Sequence, residues 1–129
     1  MPKLRRIDLE DREGIRRELL RFVEELKEKL PVSRVYLFGS FARGKVHEGS
    51  DIDLLIVGDF PERVFTRIER VLELTDLPIE PLVYTPAEFE ELVRAGNPFI
   101  LRVLREGKEL RAILVPKGKS GERDYPFPA

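Results

Sequence analysis

The sequence predicts a small α/β domain of the α+β kind, with helices packed on a mixed β-sheet. Three observations carry this. Short apolar runs at Val35–Phe38, Ile52–Val57 and Ile79–Tyr84 have the length and composition of strands. The segments around and between them repeat apolar residues at three- and four-residue steps, the period of a helix with one buried face. The chain has 129 residues, the length of one domain and enough to bury a core without staples.

Residues 11–30 form the first helix. Ile15, Leu19, Phe22, Val23, Leu26 and Leu30 share one face, Arg and Glu fill the other as a solvated surface, and Pro31 ends it. Val35–Phe38 is the first strand. Ser40–Arg43 reads as a short helix closed by Gly44, and 45–50 as a polar loop leading to the second strand. Asp59-Phe60-Pro61 is expected to open the next helix, with Asp59 as cap and Pro61 as its first residue. Val64, Phe65, Ile68, Val71 and Leu72 are its expected inward face. Ile79–Tyr84 is the third strand, and Pro81 within it points to a sheet edge or a bulge.

Thr85-Pro86-Ala87-Glu88 has the spacing of a capping box with proline in the first turn. The helix it opens runs to about Ala95 and stops at Gly96. Asn97-Pro98 begins the last helix, with Phe99, Ile100, Val103 and Leu104 expected inward and Gly107 at its end. A short strand is expected near 109–114. The domain is therefore expected to span residues 1–115. The remaining PKGKSGERDYPFPA, 116–129, has no periodicity and reads as a flexible tail.

Composition narrows the function. Lys and Arg number 23 against 24 Asp and Glu, a formal net charge of −1, which gives no general attraction to nucleic acid. There is no cysteine, so no disulfide framework and no thiolate metal site. The opening MPKLRRIDLEDREG lacks the apolar core of a signal peptide, and no apolar run approaches membrane-spanning length, so a cytoplasmic location is expected.

The chemistry concentrates between Val35 and Val57, in VYLFGSFARGKVHEGSDIDLLIV. Strand side chains two apart point the same way, so Asp51 and Asp53 project together from the end of an apolar strand. Two carboxylates held that close repel unless a cation lies between them. Gly39 at the exit of the first strand lets a ligand approach the backbone, and Ser40 adds a hydroxyl donor at the start of a short helix, together a seat for phosphate. The Walker spacing is absent. Mg²⁺ binds one or two carboxylates plus substrate phosphates, so the reaction class is phosphoryl or nucleotidyl transfer. A third carboxylate is expected, and Glu80, set in an apolar strand, is the candidate.

The pattern GSFARG, five residues, then SDIDLLI resembles the nucleotidyltransferase superfamily related to DNA polymerase beta. More narrowly it resembles the minimal nucleotidyltransferases, small prokaryotic proteins often paired with a HEPN-domain partner. Gly39, Ser40, Asp51 and Asp53 match the motif residue by residue. Arg43, Gly44 and Ser50 match its surroundings, and Glu80 matches the later acid by position.

The resemblance implies a nucleotidyltransferase fold and transfer of AMP, or another NMP, from ATP or another NTP to an acceptor hydroxyl. In pairs with HEPN toxins the acceptor is a toxin tyrosine, the enzyme is the antitoxin, and the two form a hetero-oligomer. It further implies that Asp51, Asp53 and Glu80 are catalytic and hold two Mg²⁺ ions, with Mn²⁺ as an alternative. Gly39, Ser40, Arg43 and Ser50 then bind the nucleotide. No direct contact with nucleic acid is expected, since the primer-gripping domains of polymerases are missing. His47, in the polar loop, is assigned to solvent. Two rival readings use the same residues: a non-catalytic nucleotide-binding module that neutralises its partner by contact, and transfer to a small molecule, which usually needs a second domain.

Overall fold

The computed structural model describes residues 12–44 and 51–111. Helix α1 spans Arg12–Lys29, and its expected apolar stripe, Ile15 to Leu26, is buried. Strand β1, Val32–Phe38, begins three residues before the apolar run. A bulge between Val32 and Arg34 explains the polar pair Ser33-Arg34 inside a strand, and the Ser33 hydroxyl donates to the Val57 carbonyl at 3.2 Å. Helix α2 is the four residues Gly39–Ala42. Strand β2 is Ile52–Gly58, antiparallel to β1.

Helix α3 is Val64–Leu72, which corrects two expectations. It does not start at Pro61, and Asp59 does not cap it. The Asp59 N–H donates to the Pro31 carbonyl and the Phe60 N–H to that of Gly58, so 58–60 turns along the end of the strand with Phe60 buried. The inward face also differs. Phe65 is 83% exposed and Val64 48%, while Arg67 is buried beside Val71. The Arg67 guanidinium can enter because the Glu62 and Val83 carbonyls and the Glu88 carboxylate accept its hydrogen bonds.

Strand β3, Ile79–Tyr84, runs parallel to β2 and forms one edge of the sheet, as Pro81 foretells. Helix α4, Pro86–Arg94, has the complete Thr85–Glu88 capping box. Helix α5, Pro98–Glu106, is capped by the Asn97 side chain, which accepts from the Ile100 N–H at 3.1 Å. Ile100 and Val103 are buried, but Phe99 and Leu104 lie more than a third exposed rather than inward. Strand β4 is only Lys108–Glu109, beside β1, and residues 112–114 of the expected strand lie outside the described residues, as does the 116–129 tail.

The sheet order is β3-β2-β1-β4. Strand alternation splits the core in two. Val35, Leu37, Leu54 and Ile56 meet α1 and α3 on one face. Tyr36, Leu55 and Val57 meet Phe89 of α4 and Ile100 and Val103 of α5 on the other. Asp53, two residues before Leu55, lies in phase with this second face. Among the described residues no helix is long and apolar enough to cross a membrane.

Candidate active site

Asp53 is the second residue of β2, and the sheet decides its neighbours. Antiparallel pairing sets it opposite Phe38, the last residue of β1, and parallel pairing sets it opposite Glu80, the second residue of β3. Adjacent strands lie about 4.8 Å apart, so the two acids are direct neighbours across the ladder. Asp51 precedes β2 by one residue and is exposed. The chain then leaves β1 through Gly39 at φ +73°, the left-handed region that favours glycine. A Cβ at Gly39 would run into Asp53 Oδ2. Glycine here both turns the chain and makes room for the carboxylate.

Electrostatics mark the cluster as uncompensated. The Asp53 carboxyl is pushed above its ordinary range, first by burial and then by Asp51, with Arg43 pulling the other way. Glu80 is raised by a hydrogen bond with Asp51, by burial, and by the negative charges of Asp51 and Asp53. The ion pairs of the described residues lie elsewhere, such as Arg67–Glu88 and Arg70–Glu62.

This donor set fits a hard divalent cation. All the groups are carboxylate oxygens, and each would lose its mutual repulsion on sharing a positive ion. Among the described residues, no three His, Cys, Asp or Glu side chains converge as a ready-made metal cage. The fit therefore rests on neighbouring pairs, Asp51 with Glu80 and Asp51 with Asp53, which is what an ion completed by substrate phosphates requires.

The fold gathers Gly39, Ser40, Arg43, Asp51, Asp53 and Glu80 at one end of the sheet. Ser50, expected to bind the nucleotide, lies outside the described residues, and so does His47. One wall of the site was not read from sequence. Helix α5 faces α2 across a cleft of about 210 Å³, which Phe99, Arg102 and Glu106 line together with Gly39 and Arg43. The spacing of those three α5 residues, i, i+3 and i+7, was a usable signal of one helix face. A larger cleft of about 560 Å³, between Arg34 and Arg94, lies at the opposite end of the sheet and contains none of these acids.

Known proteins resemble this chain in sequence and in fold. The family model described as a nucleotidyltransferase domain matches residues 19–118. A Methanocaldococcus jannaschii protein named as a candidate protein adenylyltransferase is 36% identical over 92 residues, covering 69% of this chain and 90% of its own. The crystal structure of a candidate nucleotidyltransferase from Sulfolobus solfataricus superimposes with a TM-score of 0.53 at 29% identity, covering 64% of this chain and 78% of that one. A toxin–antitoxin structure with AMP-PNP superimposes with a TM-score of 0.50 over 77% of this chain and 74% of that one. Its identity is 18%, so that likeness is one of fold.

Proposed function

The chain belongs to the nucleotidyltransferase domain family, and from that premise we propose that it transfers AMP from ATP to a tyrosine hydroxyl of a HEPN-domain toxin, acting as its antitoxin. The observation that carries the reading is the packing of Asp53 between Gly39 and Glu80. The family supplies the general activity, nucleotidyl transfer. The protein acceptor draws support from the name of the M. jannaschii relative, and the toxin partner from the toxin–antitoxin neighbour solved with AMP-PNP.

In this mechanism Gly39 leaves room for the Asp53 carboxylate at the exit of β1. Ser40 donates its hydroxyl hydrogen to a phosphate oxygen, and Arg43 offsets phosphate charge. Asp51, Asp53 and Glu80 would hold Mg²⁺, which when bound supplies charge neutralisation at the reacting phosphate. The tyrosine oxygen forms a bond to the α-phosphorus as the bond to the bridging oxygen of the β-phosphate breaks. Pyrophosphate leaves, and the phenolic proton passes to Glu80, whose raised pKa suits it to accept.

The test is incubation with ATP labelled at the α-phosphate, Mg²⁺ and a HEPN partner. Label is expected on the partner, and Asp53→Asn is expected to reduce it by about 10³-fold. Undiminished label in Asp53→Asn would sink the site assignment. Neutralisation without any label, unchanged in Asp53→Asn, would establish the contact-only module instead.

A further inference from the structure

An in-line displacement holds the entering and leaving oxygens on opposite sides of the reacting phosphorus. The sheet gives those two sides different residues. Asp53 is on β2, with β3 and Glu80 to one side and β1 and Gly39 to the other. If the acceptor's proton goes to Glu80, the leaving pyrophosphate departs past Gly39, toward the cleft between α2 and α5.

That cleft has a base of aromatic rings and a rim of charge. Phe38 and Phe99 meet edge to face, with ring centroids 5.4 Å apart. The pair pins the first turn of α5 to the end of β1. Arg102, three residues after Phe99, is thereby held on the face that looks toward α2. It lines the cleft with Arg43 and Gly39. Arg102 is exposed, and its side chain makes no hydrogen bond or ion pair among the described residues. Among the described residues that line the cleft, one carries a carboxylate, Glu106, whose Oε2 lies 3.8 Å from Arg105 Nη2. Pyrophosphate carries more negative charge than the single guanidinium of Arg43 balances, and a second planar guanidinium suits its oxygens bidentately.

We propose that Arg102 binds the β- and γ-phosphates of the nucleotide together with Arg43, so that the cleft between α2 and α5 receives the leaving pyrophosphate. This rests on the nucleotidyltransferase reading above and adds to it a residue outside the sequence motif.

The experiment is calorimetric titration of the full chain, with Mg²⁺, against ATP, AMP and inorganic pyrophosphate. Arg102→Gln is expected to weaken ATP and pyrophosphate at least about tenfold, the scale of a lost charge-assisted hydrogen bond, and to leave AMP within about twofold. Arg102→Lys is expected to retain part of the ATP affinity. Arg94→Gln, at the opposite end of the sheet, is expected to change none of the three, and the melting temperature of each variant reports its folding. ATP affinity unchanged in Arg102→Gln would overturn the proposal, and so would an equal loss for AMP and ATP or an equal loss in Arg94→Gln. A wild-type chain that binds neither ATP nor AMP would overturn the nucleotide reading itself, and the role of Arg102 with it.

Discussion

Strand β3 has an acid near each end, and the two are handled in opposite ways. At its start, Glu80 stands beside Asp51 and Asp53, and its carboxyl is raised by them. Just past its end, Glu88 faces Arg67, and its carboxyl is lowered, first by the hydrogen bond from Arg67 and then by the Thr85 backbone. Arg67 Nε donates to the Glu62 carbonyl at 2.6 Å, Nη1 to the Val83 carbonyl and to Glu88 Oε1 at 2.9 Å, and Nη2 to Glu88 Oε2 at 3.3 Å. The same Glu88 Oε1 accepts from the Thr85 N–H, closing the capping box. One guanidinium thus ties α3, the edge strand and the start of α4. The Glu88 end is complete in itself. At the Glu80 end three carboxylates are assembled with no ion pair among the described residues and only the more distant charge of Arg43 to offset them, the kind of perturbed cluster that marks functional sites.

If this contrast is correct, disturbing the site end should remove activity more than it removes stability. Outside the carboxylates themselves, Gly39→Ala has the largest expected effect. It forces a left-handed φ on a residue with a side chain, at about 1–2 kcal/mol, and drives a methyl group into the Asp53 carboxylate. A displacement of that kind at a reacting centre costs about 10²-fold in rate. The expected result is kcat/KM for nucleotidyl transfer down by about 10²-fold or more, with a cooperative melt retained. Near-normal kcat/KM would mean that the Gly39–Asp53 contact plays no part in the chemistry.

The opposite outcome is expected at the other end. Arg67→Ala removes the bidentate pair and leaves two carbonyls short of a donor. Glu88 remains partly in water, with its side chain 45% exposed, so the cost falls below that of a fully buried pair. About 2–3 kcal/mol is expected, a fall in Tm of about 7–11 °C for a domain of this size. Activity per folded molecule at low temperature should stay within about twofold. A loss of activity without a loss of stability would move Arg67 into the site and break the contrast.

The contrast was only half visible in the sequence. Strand alternation already pairs Asp51 with Asp53, and the Thr85-Pro86-x-Glu88 spacing already gives the capping box, because both are local rules. Pro81 likewise forecast the sheet edge, since a missing N–H is a local fact. Arg67 was not visible: on a helix an arginine reads as solvated, and its burial depends on partners from Glu62, Val83 and Glu88 brought together only by the fold. Phe65 was misread for the complementary reason, because Arg67 takes the inward row and turns Phe65 to solvent. The bulge at Val32–Arg34 hid the start of β1 behind two polar residues. The closeness of Gly39 to Asp53 needs the antiparallel register of β1 and β2, which no spacing of residues encodes.

The smallest expected effect is the finest test, and it concerns stability against pH. Asp53 has a raised carboxyl, so its contribution to stability is fully present below the ordinary carboxylate range and is lost as pH rises through its shifted value. Glu88, with a lowered carboxyl, contributes above the ordinary range and loses that contribution as pH falls through its shifted value. At neutral pH the fold therefore carries an ionised Asp53 that it would hold more easily neutral. Asp53→Asn should raise Tm by a few degrees at pH 7, and the gain should vanish below about pH 4, where the aspartate is protonated in the folded and unfolded chains alike. Mg²⁺ should raise the Tm of the wild type at pH 7 and do so less in the variant, since the ion relieves the repulsion that the amide has already removed. An Asp53→Asn protein that is less stable than wild type at pH 7 would mean that the carboxylate is satisfied within the fold, and that this end of β3 is built like the other.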